Sequence, residues 1–60
     1  MRNFIKLTDY CSGETVAINA GNIDFITPLK SGGSTIHMSG DNGITVKEPL
    51  PEVLYKILCL

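Results

Sequence analysis

His37 is the only histidine of the chain, and its side chain is the one best suited to proton transfer near neutral pH. The apolar pattern around it predicts Asp24 across from it on the preceding strand and Thr45 on its other side. A carboxylate beside an imidazole can orient the ring for acid–base work. Catalysis would also need a nucleophile, and the predicted register puts no serine or cysteine next to the ring. The plainer reading is a surface cross-strand pair worth well under ~1 kcal/mol. A ligand or interface contact lies between those two readings.

A second group could hold an anion. Lys30-Ser31-Gly32-Gly33-Ser34 has the composition of a loop whose successive amides turn toward a phosphate, with Lys30 adding charge. It is not a P-loop, because the Gly-Lys-Ser order is wrong and no helix follows; a flexible hairpin loop is the plainer reading. Thr35, Thr45 and Lys47 fall on the adjoining strands. The expected ligand-binding set is therefore Lys30, Ser31, Gly32, Gly33, Thr35, His37, Thr45 and Lys47. No metal site is expected. Cys11 and Cys59 lack the two further soft ligands that zinc needs, and free thiols are the favoured reading. No cofactor and no catalytic residue is expected.

These side chains need a frame. The stretch 34–47 alternates Ile36, Met38, Ile44 and Val46 with polar residues, the period of half-buried strands. Gly40-Asp41-Asn42-Gly43 supplies the turn. Pairing Met38 with Ile44 and Ile36 with Val46 keeps one apolar face and predicts an odd, bulged loop with Gly43 left-handed. It also places His37 opposite Thr45 and Thr35 opposite Lys47. Phe4 to Asp9 and Glu14 to Asn19 form an earlier hairpin, with Leu7 matched to Val16, Ile5 to Ile18 and Thr8 to Thr15. Ile23 to Thr27 is a third strand ended by Pro28. Its phase is open, because Phe25 and Ile26 are both apolar; with Phe25 inward, Asp24 faces His37 and Ile26 is left outside. After Glu48-Pro49-Leu50-Pro51, Leu50, Val53, Leu54, Ile57 and Leu58 follow helical spacing, and proline is tolerated in that first turn. The expected fold is α+β: an antiparallel meander of about five short strands, β-β-β-β-β-α, covered by one C-terminal helix, in a single domain over 1–60.

Composition narrows the function. The chain has 60 residues, five basic and six acidic, a net charge of −1 and 43% hydrophobic content. A nucleic-acid binder is expected to carry a basic stripe, and none is visible. The apolar runs are too short to span a membrane, and no signal-peptide core follows Met1-Arg2-Asn3, so a cytoplasmic location is expected. A domain of this size buries only about 60% of its unfolded surface. Phe4, Tyr10, Ile26, Leu29, Tyr55 and Leu60 exceed what one small core can take, so they are the expected interface of a homo-oligomer.

The run Ile5-Lys6-Leu7-Thr8, then Val16-Ala17-Ile18-Asn19-Ala20, Ile23-Asp24-Phe25-Ile26, Ile44-Thr45-Val46-Lys47-Glu48 and Glu52-Val53-Leu54, resembles the small FlbD-like proteins. That family includes the swarming-motility protein SwrD, and similar short frames occur in phages and gut-bacterial accessory regions. The resemblance covers nearly the whole chain, mostly at apolar fold positions. It differs from flagellar members in the Lys30-Ser31-Gly32-Gly33 loop and in the prolines bracketing the helix start. The resemblance implies fold more than function; the lack of a metal set, phosphate motif or triad in the sequence leads to the expectation of a non-enzymatic binding protein, in the cytoplasm of a host if phage-encoded. The predicted polar face and Lys30 loop, combined with the phage-type resemblance, give the expectation that it captures a small phosphorylated, nucleotide-type ligand or masks a host protein, as in counter-defence. A FlbD-like motility or regulatory adaptor working by protein contact is the alternative. The last third also resembles the end of a LytTR DNA-binding domain, without that domain's basic contacts.

Overall fold

Ile5 and Leu7 alternate with Phe4, Lys6 and Thr8, and the alternation folds as strand β1, Phe4–Thr8, with Ile5 and Leu7 buried. The computed structural model describes residues 3–60; Met1 and Arg2, counted in the expected domain, lie outside the described residues. β2, Thr15–Asn19, pairs antiparallel with β1 in the predicted register: Ile5 with Ile18, Leu7 with Val16, Thr8 with Thr15. The turn between them is closed by Asp9 N–H to Glu14 carbonyl (2.8 Å) and Gly13 N–H to Asp9 carbonyl (3.0 Å), with Gly13 at φ +77°. The Asp9 carboxylate accepts the Ser12 N–H at 2.9 Å, which holds its pKa below the usual carboxylate value.

Ala20–Asn22 winds as a 3-10 turn capped by the Asn19 side chain. The chain then enters β3, Ile23–Pro28, followed by β4, Ser34–Met38, and β5, Asn42–Val46. All five strands pair antiparallel, but in two sheets rather than one: β1-β2, and β3-β4-β5. The 3-10 turn takes the chain out of the first sheet, and β2 and β3 do not pair. The sheets meet instead at the end of β1. Asp9 bridges Val46, the Tyr10 N–H donates to the Thr45 carbonyl (2.9 Å), and the Lys47 N–H donates to the Thr8 carbonyl (2.9 Å).

The β4–β5 hairpin keeps the predicted apolar face but slides by two residues. Ile36 opposes Ile44, Ser34 opposes Val46 and Met38 opposes Asn42, leaving a three-residue loop. A two-residue shift preserves which face each side chain takes. The tighter loop is allowed by left-handed Gly40 (φ +81°) and Asp41 (φ +63°), not by Gly43. Ser34 shares the inner face with Ile36 by alternation, and the slide sets it opposite Val46; it is fully buried there, and its hydroxyl donates to the Glu48 carbonyl at 2.8 Å. His37 therefore opposes Gly43 and not Thr45, and Thr35 opposes Thr45 and not Lys47.

A register shift at Asp24 settles the phase of β3. Ile23 pairs with Met38 and Ile26 with Ile36, with one extra residue between. The bulge lets Ile23 and Ile26 both pack on the core and turns Phe25 outward. Ile26 is thus half-buried, not left outside.

Helix α1, Leu50–Leu58, starts where prolines at 49 and 51 lack only N–H groups that a first turn leaves unpaired. Glu52 and Lys56 match its dipole at the two ends. It packs on β1 and β3, one strand from each sheet. Val53 is its one buried side chain among the described residues and joins Ile5, Leu7, Ile18, Ile36 and Val46 in the core, with Ile57 against them. The expected apolar stripe is narrower than its sequence pattern: Leu54 and Leu58 face solvent, Leu58 at 83% exposure.

Candidate binding face of the three-stranded sheet

Alternation along β4 sends Thr35 and His37 to the face opposite the core. Two cross-strand rows build that face. Thr27, Thr35 and Thr45 form one, and Phe25, His37 and Gly43 form the next. In the second row the Phe25 and His37 rings stack, with centroids 4.1 Å apart and planes within 9° of parallel. Neighbouring strands lie about 4.8 Å apart, so side chains standing off the sheet at opposed positions meet in this way. The Nε2 atom of His37 lies 3.1 Å from the Thr27 hydroxyl, a hydrogen bond that fixes the ring's orientation. Phe25 is 56% exposed, while its neighbour Ile26 packs on the core.

On the other side of His37, β5 presents Gly43 and no side chain. A cavity of about 330 Å³ lies on this face, lined by Phe25, His37, Thr35 and Gly43 and, toward the hairpin turn, by Met38 and Gly40. Asp24, Asp41 and Asn42 also line it, and among the described residues no lysine or arginine does. The Asn42 amide N–H donates to the Ser39 carbonyl at 3.3 Å, leaving its own oxygen as an acceptor. The cavity therefore combines a flat aromatic wall with acceptors and two carboxylates.

Of the expected ligand set, the structure brings Thr35 and His37 to this cavity and places Thr45 in the row beside it. The rest lie elsewhere. Lys30 is exposed in the β3–β4 loop. The Ser31 hydroxyl accepts from the Tyr10 hydroxyl at 3.1 Å. The Gly32 N–H, which an anion cradle would need, donates to the Leu29 carbonyl at 3.1 Å, and Gly32 sits at φ +108°. Gly33 is buried, its carbonyl accepting from the Leu29 N–H at 2.8 Å. The Lys47 ammonium lies over the β1–β2 turn, 3.9 Å from where a Cβ on Gly13 would be. Asp24 does not orient His37; its carboxylate takes the Ser39 hydroxyl at 3.4 Å, and Thr27 holds the imidazole.

Of the expected interface set, Phe4, Tyr10, Tyr55 and Leu60 are exposed, while Ile26 and Leu29 are half-buried. Phe25, Leu54 and Leu58 join the exposed apolar residues. Sequence reasoning missed Phe25 and Gly43 as the walls of one site. The signal for Phe25 was the unresolved phase of its strand; Gly43 was absorbed into the turn. Cys11 and Cys59 are exposed free thiols, and among the described residues no cluster of His, Cys, Asp and Glu could hold a metal ion. No helix among the described residues is long and apolar enough to cross a membrane. No family model, curated protein or solved structure matches the chain.

Proposed function

We propose that the chain is a non-enzymatic binding module that works as a homo-oligomer in the cytoplasm and captures a small nucleotide-type ligand on the outer face of its three-stranded sheet. The observation that carries this reading is the exposed Phe25 stacked on His37 beside an open cavity. A concave site lined by aromatic or apolar side chains with a few convergent polar groups is the usual composition of a small-molecule site. Proton-transfer chemistry has little support there, since His37 meets a threonine hydroxyl and neither carboxylate is its hydrogen-bond partner. Sequestration of a nucleotide signal, as in counter-defence by a phage or accessory-region product, is the biological role that suits such a module.

Self-association is supported by the outer side of α1, where Leu54, Tyr55 and Leu58 stand exposed on a domain too small to be comfortable alone. The same surface favours a second reading, a FlbD-like adaptor that works through protein contact. Titration calorimetry against cyclic and linear nucleotides, run with sedimentation over a dilution series, separates the two. Heats of binding from a particle heavier than one chain are expected. A single chain silent to the whole panel rules the capture reading out, and pull-down of a protein partner then selects the adaptor.

A further inference from the structure

Gly43 leaves a rung vacant in an aromatic ladder. Phe25, His37 and Gly43 occupy opposed positions on three adjacent strands, and the first two carry parallel rings 4.1 Å apart. One face of the imidazole is covered by Phe25. On the side away from Phe25 the opposed residue is Gly43, which has no side chain to cover the ring, and His37 and Gly43 both line the cavity. We infer that this vacant rung seats a flat heteroaromatic ring bearing adjacent N–H donors, of the guanine kind, stacked on the free face of His37. The inference rests on the ligand-capture reading above and specifies which part of the ligand is held, and where.

Three features fix the chemistry. A planar ring standing at the Gly43 position continues the existing stack at the spacing the strands impose, without moving either protein ring. The hydrogen bond between Thr27 and His37 already holds the imidazole plane, so little ordering is left to binding. The lining offers acceptors: the carboxylates of Asp24 and Asp41 and the free oxygen of the Asn42 amide. A carboxylate can accept two neighbouring N–H groups side by side, the pattern on guanine's N1 and 2-amino edge. The same two carboxylates repel a phosphate, so a nucleotide enters base first, with its phosphate left outside. Gly43 has ordinary backbone angles, and a Cβ there would come no closer than 3.4 Å to the Ile36 carbonyl oxygen. Its lack of a side chain is thus not demanded by the turn.

Titration of the isotope-labelled chain with guanosine, inosine and guanosine 5′-monophosphate tests the seat. Guanosine is expected to move the His37 and Phe25 ring signals and the Gly43 amide. Inosine, lacking the amino group, binds more weakly, and the monophosphate binds no tighter than guanosine. Gly43→Val fills the rung and weakens guanosine by about tenfold or more, with the dispersed spectrum reporting that the fold survives. Asp41→Gly, which the left-handed turn position accommodates, removes a lining carboxylate and also weakens guanosine. Shifts confined to Lys30 and Lys47, or guanosine affinity unchanged in both variants, overturn the seat while leaving ligand capture standing. Silence toward all three compounds overturns the seat and, if it extends to the nucleotide panel, the capture reading with it.

Discussion

The Glu48 carboxylate grips Thr8 at two points: the Thr8 amide donates to one oxygen at 2.9 Å and the Thr8 hydroxyl to the other at 2.8 Å. Partial burial pushes the carboxyl's pKa up, but the Thr8 bonds, together with Glu48's own amide and the Lys56 ammonium, outweigh it and hold it below the usual 4.5. A folded-state pKa below the unfolded one gives stability that is present above the unfolded value and lost as pH falls through the folded one. Urea midpoints are therefore expected to be flat above about pH 5 and to drop as the pH falls below about 4. Glu48→Gln keeps the shape, loses about 1–2 kcal/mol at neutral pH, and shows a shallower acid decline. An acid decline as steep as that of the parent chain would mean other carboxylates set it.

Gly33 and Gly43 should respond in opposite ways to alanine. A Cβ on Gly33 would run into the Val46 carbonyl oxygen, which is backbone and cannot swing aside, with Leu29 and Tyr10 close on either side. Gly33→Ala is expected to cost about 2–3 kcal/mol. Gly43→Ala meets only ordinary contact and should stay within about 1 kcal/mol. Thermal or urea unfolding of the pair checks the order, and equal losses would contradict the close approach at Gly33.

Asp41 is the one residue other than glycine that holds a positive φ among those described, at +63°. Asp41→Gly relieves that backbone cost and is expected to stabilise the chain by about 0.5–1 kcal/mol. A urea midpoint that falls instead would place the Asp41 side chain in a contact that outweighs the turn.

The helix divides into a side that holds the fold and a side that does not. Val53→Ala removes methyls from a fully buried position and should cost about 2 kcal/mol. Leu58→Asp, at 83% exposure, should leave the unfolding of an isolated chain within about 0.5 kcal/mol while lowering the sedimenting mass of the proposed oligomer. An unchanged mass would move the self-association surface away from Leu58 and Tyr55.

The legible parts of this fold are those where two apolar pairs fix both phase and offset. Leu7 with Val16 and Ile5 with Ile18 do this for the first hairpin, and its register is as the pattern predicts. In the second hairpin the face of Ile36, Met38, Ile44 and Val46 was readable but its offset was not, because a two-residue slide leaves every face unchanged. That slide decides whether His37 faces Thr45 or Gly43. β3 was unreadable in principle by period two, since its bulge at Asp24 breaks the period in the middle. The division into two sheets depends on contacts between β1 and β5 that no local pattern carries. Thr35 and His37 were recognisable as members of one polar face, whereas Phe25 and Gly43 entered the site only through the bulge and the slide.

The join between the sheets also sets an order of assembly. Each hairpin closes on neighbours and needs only microseconds as an isolated event. The bridge from Asp9 to Val46 and the Thr8–Glu48 grip link positions as far as 40 residues apart, and that closure carries the larger entropic cost. A nascent chain that has not yet delivered Val46 to Glu48 can hold two ribbons but has nothing to lock one to the other. Truncation before Thr45 should therefore leave hairpin signals without a cooperative melt, and the last quarter of the chain acts as the clasp.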